Sequence, residues 1–354
     1  MIPELGGRRL ILRGDASSSI GTGHLMRMLA LAQAWTDAGG RAEVTVVEAP
    51  SGILDRYDAE GIGIRRLSAA YPDPADHGAV IDRLRADPAA LAVVDGPIFD
   101  EAYLEALAPV ADRVLVIDDM GTLARYPVAL VLNQNAHADR SMYPAGGGTG
   151  YLLGLPYNLL RREFRTPQVT KVIPSRAGHI LATFGGADTA GMTARTIRAI
   201  GGLPASLRDR LEVVAVVGSA APDPIGSDGA AAVLGPRLRI ERDVRRMIDR
   251  LTWADLTVTS GGTTVWELAR VGGAGLMIET APPEHLLAQG LERTGLFDRL
   301  GPASDLDDAT LGAAIARRLD DVSWRTAMAR LGPSLVDGLG AMRVVDALRP
   351  LGVR

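Results

Sequence analysis

Short apolar runs alternate with amphipathic segments along most of the chain. In the first half, runs rich in Val, Ile and Leu predict strands at 10–12, 42–47, 91–95, 114–119 and 130–133, and residues 151–157 are predicted to form a short extended piece. Apolar residues at helical spacing predict helices at 25–35, 53–60, 76–88 and 100–111. Several apolar runs are continuous, which is typical of parallel strands buried on both faces. The alternation therefore indicates a βαβ series and a doubly wound α/β sheet.

The same alternation returns after a polar stretch between Pro167 and Pro174. It predicts strands at 179–184, 211–218, 254–259 and 274–278. It predicts helices at 189–200, through Glu267 and Arg270, and at 284–294, 309–318, 322–331 and 341–348. A chain of 354 residues is long enough for two such domains. We therefore expect Rossmann-like domains over 1–165 and 175–340.

A glycine-rich loop, Gly21-Thr22-Gly23-His24, follows the first predicted strand and precedes a helix. Glycines let a ligand approach the backbone, and a helix N-terminus presents free N–H groups to an anion. A helix N-terminus also disfavours the imidazolium, so His24 is expected in the neutral form that a general base needs. The alternative is that the glycines only tighten the turn and that the histidine is structural.

This loop does not match the common cofactor motifs. Met26 stands where G-x-G-x-x-G requires its third glycine, so the dinucleotide fingerprint is absent. The loop also lacks the lysine of a phosphate-binding P-loop. We therefore expect no cofactor.

Two further loops in the second half are candidates for binding a diphosphate. Gly185-Gly186-Ala187-Asp188 and Ser260-Gly261-Gly262-Thr263-Thr264 each lie between a predicted strand and a helix, where backbone N–H groups can hold an anion. Plain turn chemistry is the alternative for each. Glu267 either accepts hydrogen bonds from ribose hydroxyls or complements the helix dipole. His285 either contacts the ligand or caps its helix.

Polar residues also end the predicted strands of the first half. Because the carboxyl ends of parallel strands share one edge, we expect them to lie on the same side as the Gly21–His24 loop. The adjacent Asp118 and Asp119 could bind a metal, exchange a proton or cap the next segment. No nearby His or Glu completes a metal site, so we favour capping or ligand hydrogen bonding and expect no metal. The residues at this edge are Asp95, Asp118, Asp119, Asn133 and Asn135.

Composition excludes several classes of protein. The chain is 47% hydrophobic and 23% charged with a net charge of −4, so it lacks the basic footprint of a nucleic-acid-binding protein. It has no cysteine and therefore no disulfide or thiolate metal site. We find no signal-peptide pattern and no run of about 18 apolar residues that would predict a membrane span. These features favour a cytoplasmic protein. They do not determine the oligomeric state, and a monomer is one of the open alternatives.

Motifs in order along nearly the whole chain resemble one enzyme family. They are Arg13-Gly14-Asp15 to His24, Val116–Asp119, Leu132–Asn135, Gly154–Arg161, Phe184–Asp188, Ser260–Glu267 and Val336–Arg343. This set is similar to the UDP-2,4-diacetamido-2,4,6-trideoxy-β-L-altropyranose hydrolases of pseudaminic acid biosynthesis, which are related to spore-coat polysaccharide protein G. That family in turn resembles the GT-B glycosyltransferases.

The resemblance implies a GT-B fold, in which two domains face each other across a cleft and residues 341–354 pack back on the N-terminal domain. It implies that UDP binds the C-terminal domain through Gly185, Gly186 and Ser260–Thr263, with Glu267 on the ribose. His24 corresponds to the base that activates water at the anomeric carbon, with inversion and without a metal. The other motif residues that we assign to the UDP-sugar substrate are Arg13, Asp15, Ser19, Gly21, Gly23, Asp95, Asp119, Asn133, Asn135, Tyr157 and His285.

The chain departs from the family at two places. Gly96-Pro97 follows Asp95 where the family tends to have a polar or aromatic pair, and Pro283-Glu284-His285 stands where an Asn-Gln pair often approaches the donor. Both places fall near the expected sugar and leave its identity open. Two alternatives to a hydrolase therefore remain: a glycosyltransferase that uses a UDP-sugar donor, and a non-catalytic nucleotide-sugar-binding protein.

Overall fold

The computed structural model describes residues 5–17, 19–166, 171–218, 221–225 and 229–352. The chain forms two compact units. Unit 1 comprises Met1–Arg165 and Gly338–Arg354, and unit 2 comprises Thr166–Asp337.

Unit 1 contains a parallel sheet with the order β3-β2-β1-β4-β5-β6-β7 in its described residues. Its strands are β1 (Arg9–Arg13), β2 (Arg41–Val46), β3 (Gly63–Arg66), β4 (Leu91–Asp95), β5 (Val114–Ile117), β6 (Leu130–Asn133) and β7 (Gly150–Leu153). Its first four helices are α1 (Gly23–Asp37), α2 (Ser51–Ala59), α3 (Pro74–Ala86) and α4 (Glu101–Ala106).

Unit 2 repeats this plan with a parallel sheet of order β10-β9-β8-β11-β12-β13 in its described part. Its strands are β8 (His179–Thr183), β9 (Glu212–Val217), β10 (Leu238–Arg242), β11 (Leu256–Ser260), β12 (Gly275–Glu279) and β13 (Asp298–Pro302). Its helices are α5 (Met192–Gly201), α6 (Ala205–Arg208), α7 (Ala230–Leu234), α8 (Met247–Trp253), α9 (Thr264–Arg270), α10 (Glu284–Thr294), α11 (Asp308–Asp320) and α12 (Val322–Leu335).

The last helix, α13 (Gly340–Leu348), returns to unit 1 and packs against α1. Its buried face includes Ala341, Val344 and Leu348, which join the same apolar cluster as Trp35 of α1. Short 3-10 helices connect other elements, at Ala108–Arg113, Arg140–Met142, Leu155–Tyr157, Arg162–Phe164, Gly235–Arg237 and Ala303–Asp305.

Both faces of the unit 1 sheet are buried. Leu10 and Leu12 of β1 point into the cluster beneath α1, whereas Ile11 points into the cluster beneath α3 and α4. This alternation follows from the two-residue period of a strand. It explains why the central strands are continuous apolar runs, and it confirms the predicted α/β class with two Rossmann-like sheets.

The prediction missed β3, β10 and β13, and all three lie at sheet edges. All four residues of β3, Gly-Ile-Arg-Arg, are exposed. Strands with one unpaired side need no continuous apolar run, so periodicity gives little signal for them. The helix predicted over 100–111 is also shorter, because α4 ends at Ala106 and a 3-10 helix with Pro109 in its first turn begins at Ala108. No described helix is long and apolar enough to cross a membrane.

We expect Gly14→Ala to destabilise unit 1 by about 1–3 kcal/mol, because overpacking forces the surroundings to move. A Cβ at Gly14 would lie 2.4 Å from Cε of Met28 and 2.6 Å from the backbone oxygen of Asp95. Gly78→Ala in α3 is the control. No described atom lies within 4 Å of its added Cβ, and alanine favours a helix interior by up to about 1 kcal/mol. Urea denaturation of both variants measures the difference, and equal stabilities would contradict this packing.

Candidate functional site

The ends of neighbouring strands bring polar residues together in unit 1. Arg13 of β1 is paired with Val94 of β4, and Asp95 at the end of β4 is paired with Ile117 of β5. The chain leaves β1 towards β2 on one side, while β4 lies on the other side. Loops diverge at such a switch point, where doubly wound sheets bind ligands. His24 follows β1 and Asp95 ends β4, so both lie at this switch point.

His24 is oriented by Asp95. Nδ1 of His24 lies 2.8 Å from Oδ1 of Asp95, and the two side chains are 23% and 0% exposed, respectively. Because an ionised carboxylate can only accept, Nδ1 donates the proton of this hydrogen bond. The NH2 group of Arg27 lies 3.2 Å from the same Nδ1, but it donates at the shorter distance of 2.7 Å to Oδ1 of Asp95. Nε2 is therefore the unprotonated nitrogen of the neutral ring and can accept a proton from a ligand or water.

Arg27, one turn after His24 on α1, holds Asp95 in its ionised form. Nε of Arg27 donates to Oδ2 of Asp95 at 2.6 Å, and its NH2 group donates to Oδ1 at 2.7 Å. Burial alone raises the pKa of Asp95, but the charge of Arg27 and the contact with His24 outweigh it and hold that pKa well below its usual range. Asp95 is thus a fixed anion that orients His24, and its contacts leave it little capacity to bind substrate directly.

Arg27 also links this pair to Asp119. Its NH1 group donates to Oδ2 of Asp119 at 2.7 Å, and Nδ2 of Asn135 donates to Oδ1 at 2.6 Å. The backbone oxygen of Asp119 accepts from Asn133 at 3.1 Å and lies 2.8 Å from Nε2 of His137. Asn133 is fully buried, whereas the Asp119 side chain is 30% exposed. The structure therefore joins His24, Asp95, Asp119, Asn133 and Asn135 in one network, in which Asp119 is the carboxylate open to solvent.

The loop before α1 is braced by its own hydrogen bonds. The N–H of Gly21 donates to the carbonyl of Ser17 at 2.9 Å, and the hydroxyls of Ser17 and exposed Ser19 are 2.9 Å apart. Gly21 has φ +80°, a conformation that favours glycine. No described atom lies within 4 Å of a Cβ built on Gly21 or Gly23. The two glycines therefore leave open space beside His24.

Arg13 and Asp15 belong to a buried ion-pair network, contrary to their expected contact with substrate. The NH2 group of Arg13 lies 2.8 Å from Oδ2 of Asp15, and its Nε donates to Oδ1 of Asp76 at 2.9 Å. Asp15 also accepts the N–H of Val47 at 2.6 Å. Arg13 is 0% exposed and Asp15 is 6% exposed. These partners occupy Nε and NH2 of Arg13, while its buried NH1 group has no hydrogen-bond partner among the described residues. The two side chains instead fix the end of β1 against its neighbours.

Tyr157 ends the 3-10 turn after β7. It is half-buried and packs against the apolar cluster of α1 and α13. Gly340 closely approaches the backbone of Tyr157 and Asn158, since a Cβ built on Gly340 would lie 2.2 Å from the backbone oxygen of Asn158. This contact fixes the position of Tyr157. The structure thus places Tyr157 in an apolar cluster.

The two candidate phosphate loops of unit 2 begin side by side. Thr183 of β8 is paired with Thr259 of β11, so Gly185-Gly186 and Ser260–Gly262 leave adjacent strands at the switch point of this sheet. Gly185 has φ +75°. Gly186 is packed against Gly218, since a Cβ built on Gly218 would lie 2.3 Å from the backbone oxygen of Gly186. Both loops therefore lie at the carboxyl ends of two adjacent strands, where the sheet fixes their starting points.

Not every amide of these loops is available to a ligand. Helix α5 begins at Met192 instead of 189, and the carboxylate of Asp188 accepts the N–H groups of Met192 and Thr193 at 2.8 and 2.9 Å. The first amides of α5 are thus occupied, which corrects the expectation that this turn offers them to an anion. The N–H of Gly261 likewise donates to Glu284.

Glu267 and His285 flank the second loop. Thr263 is the N-cap residue of α9, and Glu267, which is 7% exposed, lies in the first turn. His285 does not cap α10 through its side chain. Its Nδ1 lies 3.0 Å from Oε2 of Glu279, and its Nε2 lies 3.0 Å from Nε2 of Gln289. The side chain is 52% exposed, so these contacts orient His285 while leaving it accessible.

Arg27 is not among the residues that the sequence motifs single out. The available signal was its position. Arg27 lies three residues after His24 on the same face of α1, and the other residues from Leu25 to Ala32 are apolar. A charge on a buried face must be paired.

Comparison with known proteins gives a distant relative and a clear fold. No protein-family model matches the chain. The spore coat polysaccharide biosynthesis protein SpsG of Bacillus subtilis (strain 168) is 23% identical over 212 residues, which are 60% of this chain and 62% of that protein. The match therefore spans less than two thirds of the relative's length.

Solved structures resemble the chain over nearly its whole length. MurG of Acinetobacter baumannii has a TM-score of 0.62 at 16% identity and covers 97% of this chain and 99% of its own. The glycosyltransferase VinC in complex with dTDP gives the same TM-score, identity and coverages. Likeness at this identity establishes the fold alone. Together with the two Rossmann-like sheets, it shows that this chain has the GT-B fold of these glycosyltransferases.

We expect Arg27→Met to lower the free energy of unfolding by about 3–5 kcal/mol, because it leaves the buried carboxylate of Asp95 without its cation. Arg125→Met is the control. Arg125 pairs with Glu101 and Glu105, but its side chain is 71% exposed, and such pairs contribute at most about 1 kcal/mol. Urea denaturation at neutral pH compares the two, and similar losses would show that Arg27 does not compensate Asp95.

Proposed function

We propose that the chain hydrolyses a UDP-linked deoxy amino-sugar at the anomeric carbon, releasing UDP and the free sugar. The observation that supports this most directly is the His24–Asp95 pair, which leaves Nε2 of His24 as an acceptor beside the open Gly21–Gly23 loop. The distant similarity to a spore coat polysaccharide biosynthesis protein supports a role in surface polysaccharide or nonulosonic (pseudaminic-type) acid biosynthesis.

In this mechanism, His24 acts as the general base. A water molecule gives a proton to Nε2 of His24 while its oxygen forms a bond to the anomeric carbon. The bond from that carbon to the diphosphate oxygen breaks, and its electron pair leaves with UDP. Attack opposite the leaving group inverts the configuration. Asp95 stabilises the imidazolium that forms, and Arg27 keeps Asp95 ionised for this purpose.

The nucleotide is assigned to unit 2. In this proposal, backbone N–H groups of the Gly185-Gly186 turn and the Ser260–Thr263 loop face the diphosphate and stabilise the charge of the leaving group. Glu267 accepts hydrogen bonds from the ribose hydroxyls. Asp119 and His285 are partly exposed and have fixed orientations, so both are suited to hydrogen-bond the sugar.

A glycosyltransferase is the second candidate, because the glycosyltransferase VinC has the same fold and a fold alone does not select between the two reactions. The same residues serve both reactions. Nε2 of His24 would then take the proton of an acceptor hydroxyl instead of that of water. The two reactions differ in whether UDP is released without an acceptor.

We expect His24→Asn to lower turnover by roughly 10²–10⁴-fold, the usual contribution of a general base, while UDP affinity stays nearly unchanged. His179→Asn is the control, because His179 stacks on Trp253 at the amino end of β8. A panel of UDP-sugars, with and without acceptors, is assayed for UDP and free sugar. Sugar release without an acceptor supports hydrolysis, and acceptor-dependent UDP release supports transfer. Retained turnover in His24→Asn would remove His24 as the base.

We expect Glu267→Gln to weaken UDP binding by about 1–3 kcal/mol, the cost of losing a hydrogen bond to a charged group. The loss should be smaller for 2′-deoxy-UDP, which lacks one of the ribose hydroxyls that Glu267 is proposed to bind. Calorimetric titration of both nucleotides into both proteins measures this difference. An equal loss for UDP and 2′-deoxy-UDP would argue against a contact with the 2′-hydroxyl.

A further inference from the structure

A carboxylate of the chain itself occupies an anion-binding nest at the Ser260–Gly262 loop. Oε2 of Glu284 accepts the N–H of Thr280 at 2.6 Å, and the Thr280 hydroxyl lies 3.1 Å from both carboxylate oxygens. The N–H groups of Gly261 and Ala281 also donate to this carboxylate. Several converging N–H groups are the usual way in which a protein backbone binds an anion.

Glu284 is fixed at this place by packing as well as by hydrogen bonds. A Cβ built on Gly261 would lie 3.0 Å from Cβ of Glu284, which is tighter than an ordinary van der Waals contact, so a larger residue would push the two segments apart. Burial raises the pKa of the Glu284 carboxyl, and the N–H donors of Thr280 and Gly261 oppose that rise. By contrast, Gly262 and Ala281 beside it are exposed. A half-buried acidic group thus lies beside exposed residues of the two loops.

We propose that Glu284 is a specificity-determining residue that makes the site at the Ser260–Gly262 loop favour a UDP-sugar over free UDP. This inference rests on the proposed function, which places the diphosphate at this loop. Glu284 takes the N–H of Gly261 and puts a carboxyl group next to the bound phosphates, so each additional negative charge on the ligand weakens binding.

The chemistry of the two ligands supplies the difference. The terminal phosphate of UDP has a second ionisation near pH 6, and the sugar ester of a UDP-sugar removes it. UDP therefore carries about one more negative charge than a UDP-sugar at pH 8. Repulsion by Glu284 acts more strongly on the product than on the substrate, so it promotes UDP release after each turnover.

A purely structural role for Glu284 has a different signature. A side chain that only braces Gly261 and Thr280 would affect every ligand of the loop equally, whatever its charge. Glu284→Gln keeps the size and an acceptor oxygen but removes the charge. Glu284→Ala removes the charge and the bracing side chain together. Comparison of the two variants therefore separates the effect of charge from the effect of bracing. Glu212→Gln is the matched control, since Glu212 is half exposed at the amino end of β9.

The test is calorimetric titration of the full chain and these variants with uridine, UDP-N-acetylglucosamine and UDP at pH 8, with thermal melts to verify folding. In Glu284→Gln we expect UDP to bind about tenfold tighter and UDP-N-acetylglucosamine about threefold tighter, as expected for one charge acting over several ångströms near a surface. Uridine should bind unchanged, and Glu212→Gln should bind all three like the wild type. If Glu284→Gln does not fold, Glu284→Ala is compared across the three ligands instead, because loss of the charge tightens UDP more than the other two, whereas loss of bracing changes all three equally.

Four results would overturn the inference. If the wild type binds UDP but Glu284→Gln binds it no tighter, the inference alone fails and the proposed function stands. Equal changes for all three ligands, or weaker UDP binding in Glu284→Ala alone, would identify Glu284 as a brace. If neither the wild type nor Glu284→Gln binds any of the three, the proposed nucleotide site fails and the inference fails with it.

Discussion

The buried carboxylate of Asp95 is the constraint on which the unit 1 site depends. An unpaired anion buried at the end of a central strand is unfavourable by several kcal/mol. Asp95 therefore requires a cation within hydrogen-bond distance. Arg27 meets this requirement with two hydrogen bonds to Asp95 and one to Asp119. Because Arg27 and His24 share the first turns of α1, compensation of the charge and orientation of the imidazole are achieved by the same helix.

The two units use the same topology for different chemistry. Each sheet reverses its strand order once, between β1 and β4 in unit 1 and between β8 and β11 in unit 2. Unit 1 places ionisable side chains at that point, whereas unit 2 places glycine-rich turns there. In the proposed function, the first arrangement moves a proton and the second binds phosphates through backbone N–H groups.

A carboxylate, a histidine and an arginine also come together in unit 2, where Glu279 contacts His285 and Arg299. The difference between the two groups is burial. His285 is 52% exposed on an open helix end, while His24 is 23% exposed above a fully buried partner. In the proposed function the two histidines therefore take different roles, because solvent screens the charges around exposed His285 more than it screens the contact between His24 and buried Asp95.

The sequence alone determined the α/β class, the central strands and the shared edge of Asp95, Asp119, Asn133 and Asn135. Buried parallel strands need continuous apolar runs, and their carboxyl ends must meet. It did not reveal the edge strands β3, β10 and β13, which have no such runs. Only the tertiary structure decided that Arg13 and Asp15 are enclosed with Asp76, that Arg27 holds Asp95, and that Glu284 takes the amide of Gly261. These pairings join residues from separate elements. A local sequence pattern does not show which distant residue a charged side chain will contact.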